Sequence, residues 1–191
     1  MKIPLSLQRK YVFDRLGKKD PRVIIGSGLG EDAGVVAVGD AYLVSHTDPI
    51  TEAKSHIGKI AVQVSSNDVA VKGAKPEWSL VTILLPHLEE ALLDWITAEI
   101  DATSKRLGIS IVGGHTEVAF SVNAPIVSIS TFGIAKGSLL DVKRIRPGQT
   151  IIMVNEAGIE GTAVIALDHG DMIPDLADVV ERSKRFIDEL S

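Results

Sequence analysis

The sequence predicts an α/β fold, and three observations carry that prediction. Apolar residues recur at three- and four-residue spacing over Ile57 to Val71, and again over Leu92 to Leu107. Runs rich in Val, Ile and Leu lie between these helical patterns, at Trp78 to Leu85, Ile109 to Val112 and Ile126 to Ile134. Glycine or proline marks the changes of period, at Pro76, Gly108, Gly113-Gly114 and Pro125.

The chain has 191 residues, enough for one good core or for one domain and part of another. Apolar residues make up 45% and aromatics only 4%, so the core is aliphatic. The absence of cysteine excludes disulfides, thiolate nucleophiles and Cys-ligated zinc from these residues, and fits a reducing cytoplasm. Met1 to Ser6 has no apolar signal core. Runs such as Val81 to Leu85 are too short to span a bilayer, so no membrane partner is expected. Net charge is −5 with no basic block, which argues against nucleic acid.

Leu5 to Leu16 suggests a short helix ended by Gly17. Gly26 to Gly34 is glycine-rich but matches neither the dinucleotide fingerprint nor a P-loop; it reads as a flexible loop, apart from Glu31-Asp32 at its end. Val35 to Val38 and Tyr42 to Ser45 flank Gly39-Asp40 as a β-hairpin. The second strand is expected to end at Asp48, before Pro49, with His46 a packed or solvated side chain. In the helix that follows, Asp68 shares a face with Val64 and Val71, and Asn67 sits beside it. A carboxylate on an apolar stripe is compensated by a cation, by a Lys partner or by capping a neighbouring segment; spacing alone leaves these open. The charges of the helix over Leu92 to Leu107 form a solvated face. Gly113-Gly114-His115-Thr116-Glu117 ends a strand, either as a ligand-approaching loop or as a tight turn.

Residues 1–137 thus read as one domain. Residues 138–191 hold a connection, a turn at Pro147-Gly148, a strand at Ile151 to Val154 and helical patterns from Gly158 to Leu167 and Leu176 to Leu190. One strand and two helices do not cover a sheet, so a partial second α/β domain is expected.

Glu31-Asp32, Asp48, Asn67-Asp68 and His115-Thr116-Glu117 have one economical joint explanation, an oxygen-lined pocket for Mg²⁺ and nucleotide phosphates. The order Gly30-Glu31-Asp32-Ala33, Thr47-Asp48, Asn67-Asp68-Val69-Ala70-x-x-Gly73-Ala74-x-Pro76 and Gly113-Gly114-His115-Thr116-Glu117 resembles the aminoimidazole-ribonucleotide synthase-related (PurM-like) superfamily. The wording around Val69 to Pro76 and Gly158 to Ala163 is similar to its HypE-like or uncharacterised branch. The resemblance implies an N-terminal mixed-sheet domain that dimerises through its sheet, with ATP in a cleft near the interface. By position it makes Asp32, Asp48 and Asp68 metal ligands and Asn67 a polar neighbour of the phosphates. It makes Gly113, Gly114, Thr116 and Glu117 a phosphate- or metal-proximal segment. His115 stands where several members carry an acid, which leaves Thr116 and Glu117 the candidates there. It also implies ATP-dependent phosphoryl transfer to, or activation of, an oxygen on a small-molecule or protein-borne acceptor. No catalytic residue is assigned. HypE proteins act through a C-terminal cysteine, so these residues alone do not complete that activity. The alternative is a non-catalytic nucleotide-binding or dimerisation module, separated from the enzyme reading by turnover.

Overall fold

A computed structural model describes residues 3–51, 53, 55–137, 139–153 and 157–169. Its centre is a six-stranded mixed sheet of β1 (Val23–Ile25), β2 (Gly34–Val38), β3 (Ala41–Ile50), β4 (Lys75–Leu85), β5 (Ser110–Val118) and β6 (Ile126–Ala135). The strand order is β1-β2-β3-β6-β4-β5, antiparallel throughout except for β4 and β5. The predicted α/β class is therefore what forms, and the hairpin pairs as expected, from Gly34 opposite Ser45 to Val38 opposite Ala41.

Two helices cover one face. α2 (Ile57–Ala70) packs on β3, β6 and β4, and α3 (Glu90–Leu107) forms the crossover between the parallel strands β4 and β5. α3 ends as its sequence requires, on Gly108 in the left-handed region at φ 70°. Period-two alternation puts Val127, Ile129, Thr131 and Ala135 of β6 under α2. The buried hydroxyls there satisfy one another: Thr131 meets Ser65 of α2 at 2.9 Å and Ser79 of β4 at 3.0 Å. The opposite face is apolar too, with Trp78 and Leu80 left 38% and 40% exposed.

Four sequence expectations need correction. β3 does not stop at Pro49; it pairs with β6 through Ile50. β2 ends opposite Ser45, so β3 beyond it has a free edge on that side, where a proline costs no ladder hydrogen bond. Pro76 likewise lies inside β4, paired with Gly133, instead of breaking the chain before a strand. The lower half of α2 buries Val62, Ser65, Ser66 and Val69, whereas Val71 is exposed, so Asp68 borders the buried face. Gly113 to Glu117 is not a loop; it is the body of β5. A Cβ on Gly114 would run into the main chain of Val81, so the glycine serves close strand approach.

At the N-terminus the helix is short, α1 (Leu5–Gln8) followed by a π turn at Arg9–Phe13, and buries no residue. Beyond β6, Ile151 to Met153 is exposed and not in a strand. α4 (Ile159–His169) forms where predicted, and Ala163 joins the larger apolar cluster with Ile57, Ile96 and Ile129. The helical pattern at Leu176 to Leu190 lies outside the described residues. No described helix is long and apolar enough to cross a membrane.

α2 has no N-terminal cap of its own. Its flanking residue His56 is left-handed, at φ 56°. Glu99 of α3 supplies the cap, accepting from the Gly58 N–H at 3.2 Å and meeting His56 Nδ1 at 2.7 Å. The helices approach closely at Gly58, where a Cβ would lie 2.5 Å from the Ile96 carbonyl oxygen. Gly58→Ala should therefore lower stability by about 1–3 kcal/mol, read from urea denaturation. A gain in stability, the usual sign for Gly→Ala in an exposed helix, would contradict this packing.

Candidate functional site

Residues His46 and Asp48 alternate with Thr47 along β3, so both point to the side on which α2 packs. Asp68 meets them from the last turns of α2. One donor atom from each of His46, Asp48 and Asp68 falls within 4.8 Å of the others, and all three residues are half-buried. Among the described residues this is the one group of three such side chains close enough to share an ion.

The imidazole is held from behind. Its Nδ1 contacts the main-chain carbonyl oxygen of Asp32, an acceptor, so Nδ1 carries the proton and donates it. Nε2 faces Asp68, with Oδ2 2.9 Å away. That approach is close but off the hydrogen-bonding direction, so the buried Nε2 has no hydrogen-bond partner.

Asp32 sits where it does because its neighbour Glu31 is pinned. Glu31 and Lys72 form a 2.7 Å ion pair with side chains only 5% and 3% exposed. The pair ties the glycine-rich loop to the residue just past α2. The main-chain oxygen of Lys72 also accepts from the Leu140 N–H at 3.2 Å. Around this tie lies a cavity of about 380 Å³ lined by Asp32, Lys72, Leu139, Asp141, Arg144 and Gln149 among others.

Of the residues singled out in the sequence, the structure brings Asp48 and Asp68 together. Asp32 reaches them through its carbonyl, while its own side chain is exposed and lines the cavity. Asn67 precedes Asp68 on α2 and is exposed. Gly113, Gly114, Thr116 and Glu117 are not brought to this place. β6 and β4 lie between β3 and β5, which at about 4.8 Å per strand is about 14 Å. Thr116 instead faces a 330 Å³ groove shared with Thr97 and Asp101 of α3, and Glu117 pairs with His115 at 3.2 Å on the exposed edge. His46 is the residue that sequence reasoning passed over. The signal was the His-x-Asp spacing, which puts His46 and Asp48 on one face of the expected strand.

This sheet, with its aspartates on β3 and α2, defines a class. The family model for AIR synthase related protein, N-terminal domain, matches residues 30–135, and the chain belongs to that family. Two curated relatives give the neighbourhood within it. One is a putative hydrogenase expression/formation protein of Methanocaldococcus jannaschii, 28% identical over 96% of this chain and 60% of the relative. The other is the carbamoyl dehydratase HypE of Rhodobacter capsulatus, 32% identical over 84% of this chain and 48% of the relative. The chain spans about half to three fifths of the length of these relatives. A solved structure, AaThiL complexed with AMPPCP and TMP, shares the fold with a TM-score of 0.69 at 18% identity, over 86% of this chain and 57% of that one. The chain is thus of the PurM-like superfamily, with HypE-like relatives.

Replacing Lys72 by Met alone strands a buried carboxylate and should cost about 3–5 kcal/mol. The Glu31→Gln, Lys72→Met double variant should recover most of that loss. Guanidinium denaturation of Lys72→Met, Glu31→Gln and the double variant measures it; additive losses would mean that the two side chains do not act as a pair.

Proposed function

We propose that this chain carries the Mg²⁺–ATP-binding part of an ATP-dependent enzyme, with residues 1–137 as the nucleotide-binding domain and 138–191 as the start of a second domain. The observation that carries the reading is the convergence of the Asp48 and Asp68 carboxylates beside a buried His46 Nε2 that makes no hydrogen bond. Carboxylate oxygens are what Mg²⁺ takes from a protein when phosphates and water complete its shell, and an orphaned buried nitrogen marks a place that expects a partner. A cation held there would supply charge neutralisation to the phosphates of ATP.

The chain's own residues do the holding. Asp48 and Asp68 orient the cation from a strand and a helix, both rigid supports. The Asp32 side chain, which lines the 380 Å³ cavity, would assist in holding the cation, and Asn67, on the exposed side of α2, would border the phosphates. Lys72 is no phosphate cradle, because Glu31 already takes its charge. The reaction class is attack of an acceptor oxygen, on a small molecule or on a carbamoyl or amide group, upon the γ-phosphate. None of the 191 residues is a cysteine, so a step needing a thiolate is not supplied by this chain. The lack of cysteine also suits a reducing cytoplasm.

Asp48→Asn and Asp68→Asn should each weaken Mg²⁺-dependent ATP binding by more than about tenfold, or 1.4 kcal/mol, in calorimetric titration. The melting temperature of Asp48→Asn should hold or rise, since a half-buried negative charge is removed. Unchanged affinity in both variants would remove the metal assignment.

The bare apolar sheet face, with Trp78, Leu80, Phe132 and Ile134, and the exposed edge strand β5 fit a homodimer through the sheet. On this reading Gly113, Gly114, Thr116 and Glu117 contact nucleotide only where a second copy brings β5 to the site. Sedimentation at micromolar concentration should give a dimer; a monomer across the accessible range would overturn it.

A further inference from the structure

We infer that His46 is itself a ligand, and that the centre it forms with Asp48 and Asp68 prefers a first-row transition dication such as Mn²⁺ over Mg²⁺. The inference rests on the reading of Asp48 and Asp68 as a metal centre and adds the donor that decides which metal enters.

Three observations converge on the imidazole. The first is placement: β3 presents His46 and Asp48 on the face where Asp68 arrives, with donor atoms within 4.8 Å. The second is the tautomer. Nδ1 is committed to the Asp32 carbonyl oxygen, which leaves Nε2 as the outward-facing atom. A ring N–H donated to a main-chain carbonyl is the arrangement that orients metal-bound histidines and raises their basicity. The third is what Nε2 meets. It is buried, makes no hydrogen bond, and has Asp68 Oδ2 2.9 Å away off the hydrogen-bonding direction. Nε2 and Oδ2 lie close enough together for one cation to be ligated by both.

The support behind the ring is stiff. The Glu31–Lys72 ion pair fixes the loop that carries the Asp32 carbonyl, so the imidazole is oriented before any metal arrives. The donor set is then one nitrogen and two carboxylates. Mg²⁺ favours oxygen donors in a near-octahedral shell, whereas a mixed nitrogen and oxygen site takes first-row transition dications, whose affinities rise from Mn²⁺ onward.

Pulsed electron paramagnetic resonance of Mn²⁺ added to the full 191-residue chain tests this without any activity assay. Protein carrying ¹⁵N-labelled histidine should show a nitrogen coupling to Mn²⁺ that changes with the isotope and disappears in His46→Thr. Titration should show Mn²⁺ bound at least about tenfold more tightly than Mg²⁺. His46→Thr should cost Mn²⁺ more than the roughly 10–100-fold expected for losing an outer-shell partner, and leave Mg²⁺ affinity in the same range. Mn²⁺ bound with no histidine coupling overturns the ligand assignment while Asp48 and Asp68 stand as a metal centre. Failure of both cations to bind overturns that centre as well. Should His46→Thr not fold, the isotope signature of the wild-type chain decides alone.

Discussion

The buried ion pair between Glu31 and Lys72 sets the geometry around the candidate site. Lys72 is the meeting point of three segments. Its side chain holds the glycine-rich loop, its main chain follows directly from α2, and its carbonyl receives the segment after β6. Burying two charges costs several kcal/mol per ion, and a 2.7 Å contact returns that only with good geometry. An apolar pair of the same volume would hold the loop with less loss, but without fixing its direction. What the ions fix is the position of the next residue: Asp32 turns its carbonyl to His46 because Glu31 is tied down one residue earlier.

Much of the fold was legible because period and punctuation agree. α2, α3, α4 and the Gly39-Asp40 hairpin each announce themselves by spacing and by a glycine where a glycine is needed. The proline errors share one cause. Local rules treat Pro49 and Pro76 as strand breakers, yet each pairs within the sheet, and whether a neighbouring strand ends short is a tertiary fact. Gly113-Gly114 misled for a related reason. A glycine pair admits a backbone at close range, and sequence does not say whether that backbone is a ligand's loop or the adjacent strand. Asp48 and Asp68 were legible as acids in motif order. Their company was not, because nothing in the local sequence says that the face of β3 carrying His46 is the one on which α2 brings Asp68.

The layering explains why the acids sit on the helix side. The covered face has apolar side chains across β6 and β4, but β3 offers His46 and Asp48 where α2 is about to end. A carboxylate half-way down that face would be buried outright. Near the end of the helix, Asp68 stays about 29% exposed, at the border between packed interior and solvent. The same transition from packed interior to open cavity is where a polyphosphate could lie with one side on protein and one in water.

The cap that Glu99 lends to α2 ties the two helices together in time as well as in space. α2 is rich in β-branched residues, has a left-handed residue in front of it and receives its N-terminal hydrogen bonds from a side chain 41 positions along the chain. Alone it has little reason to persist as a helix. Its first turn is completed by a side chain of α3, the crossover between β4 and β5. The two helices therefore open and close as one cooperative unit, so the amides of Gly58 and Lys59 should exchange with solvent at the rate of the whole layer and not of a fraying end. Asp68 rides on the far end of that unit, which makes the order of the acidic cluster a property of the entire helical layer.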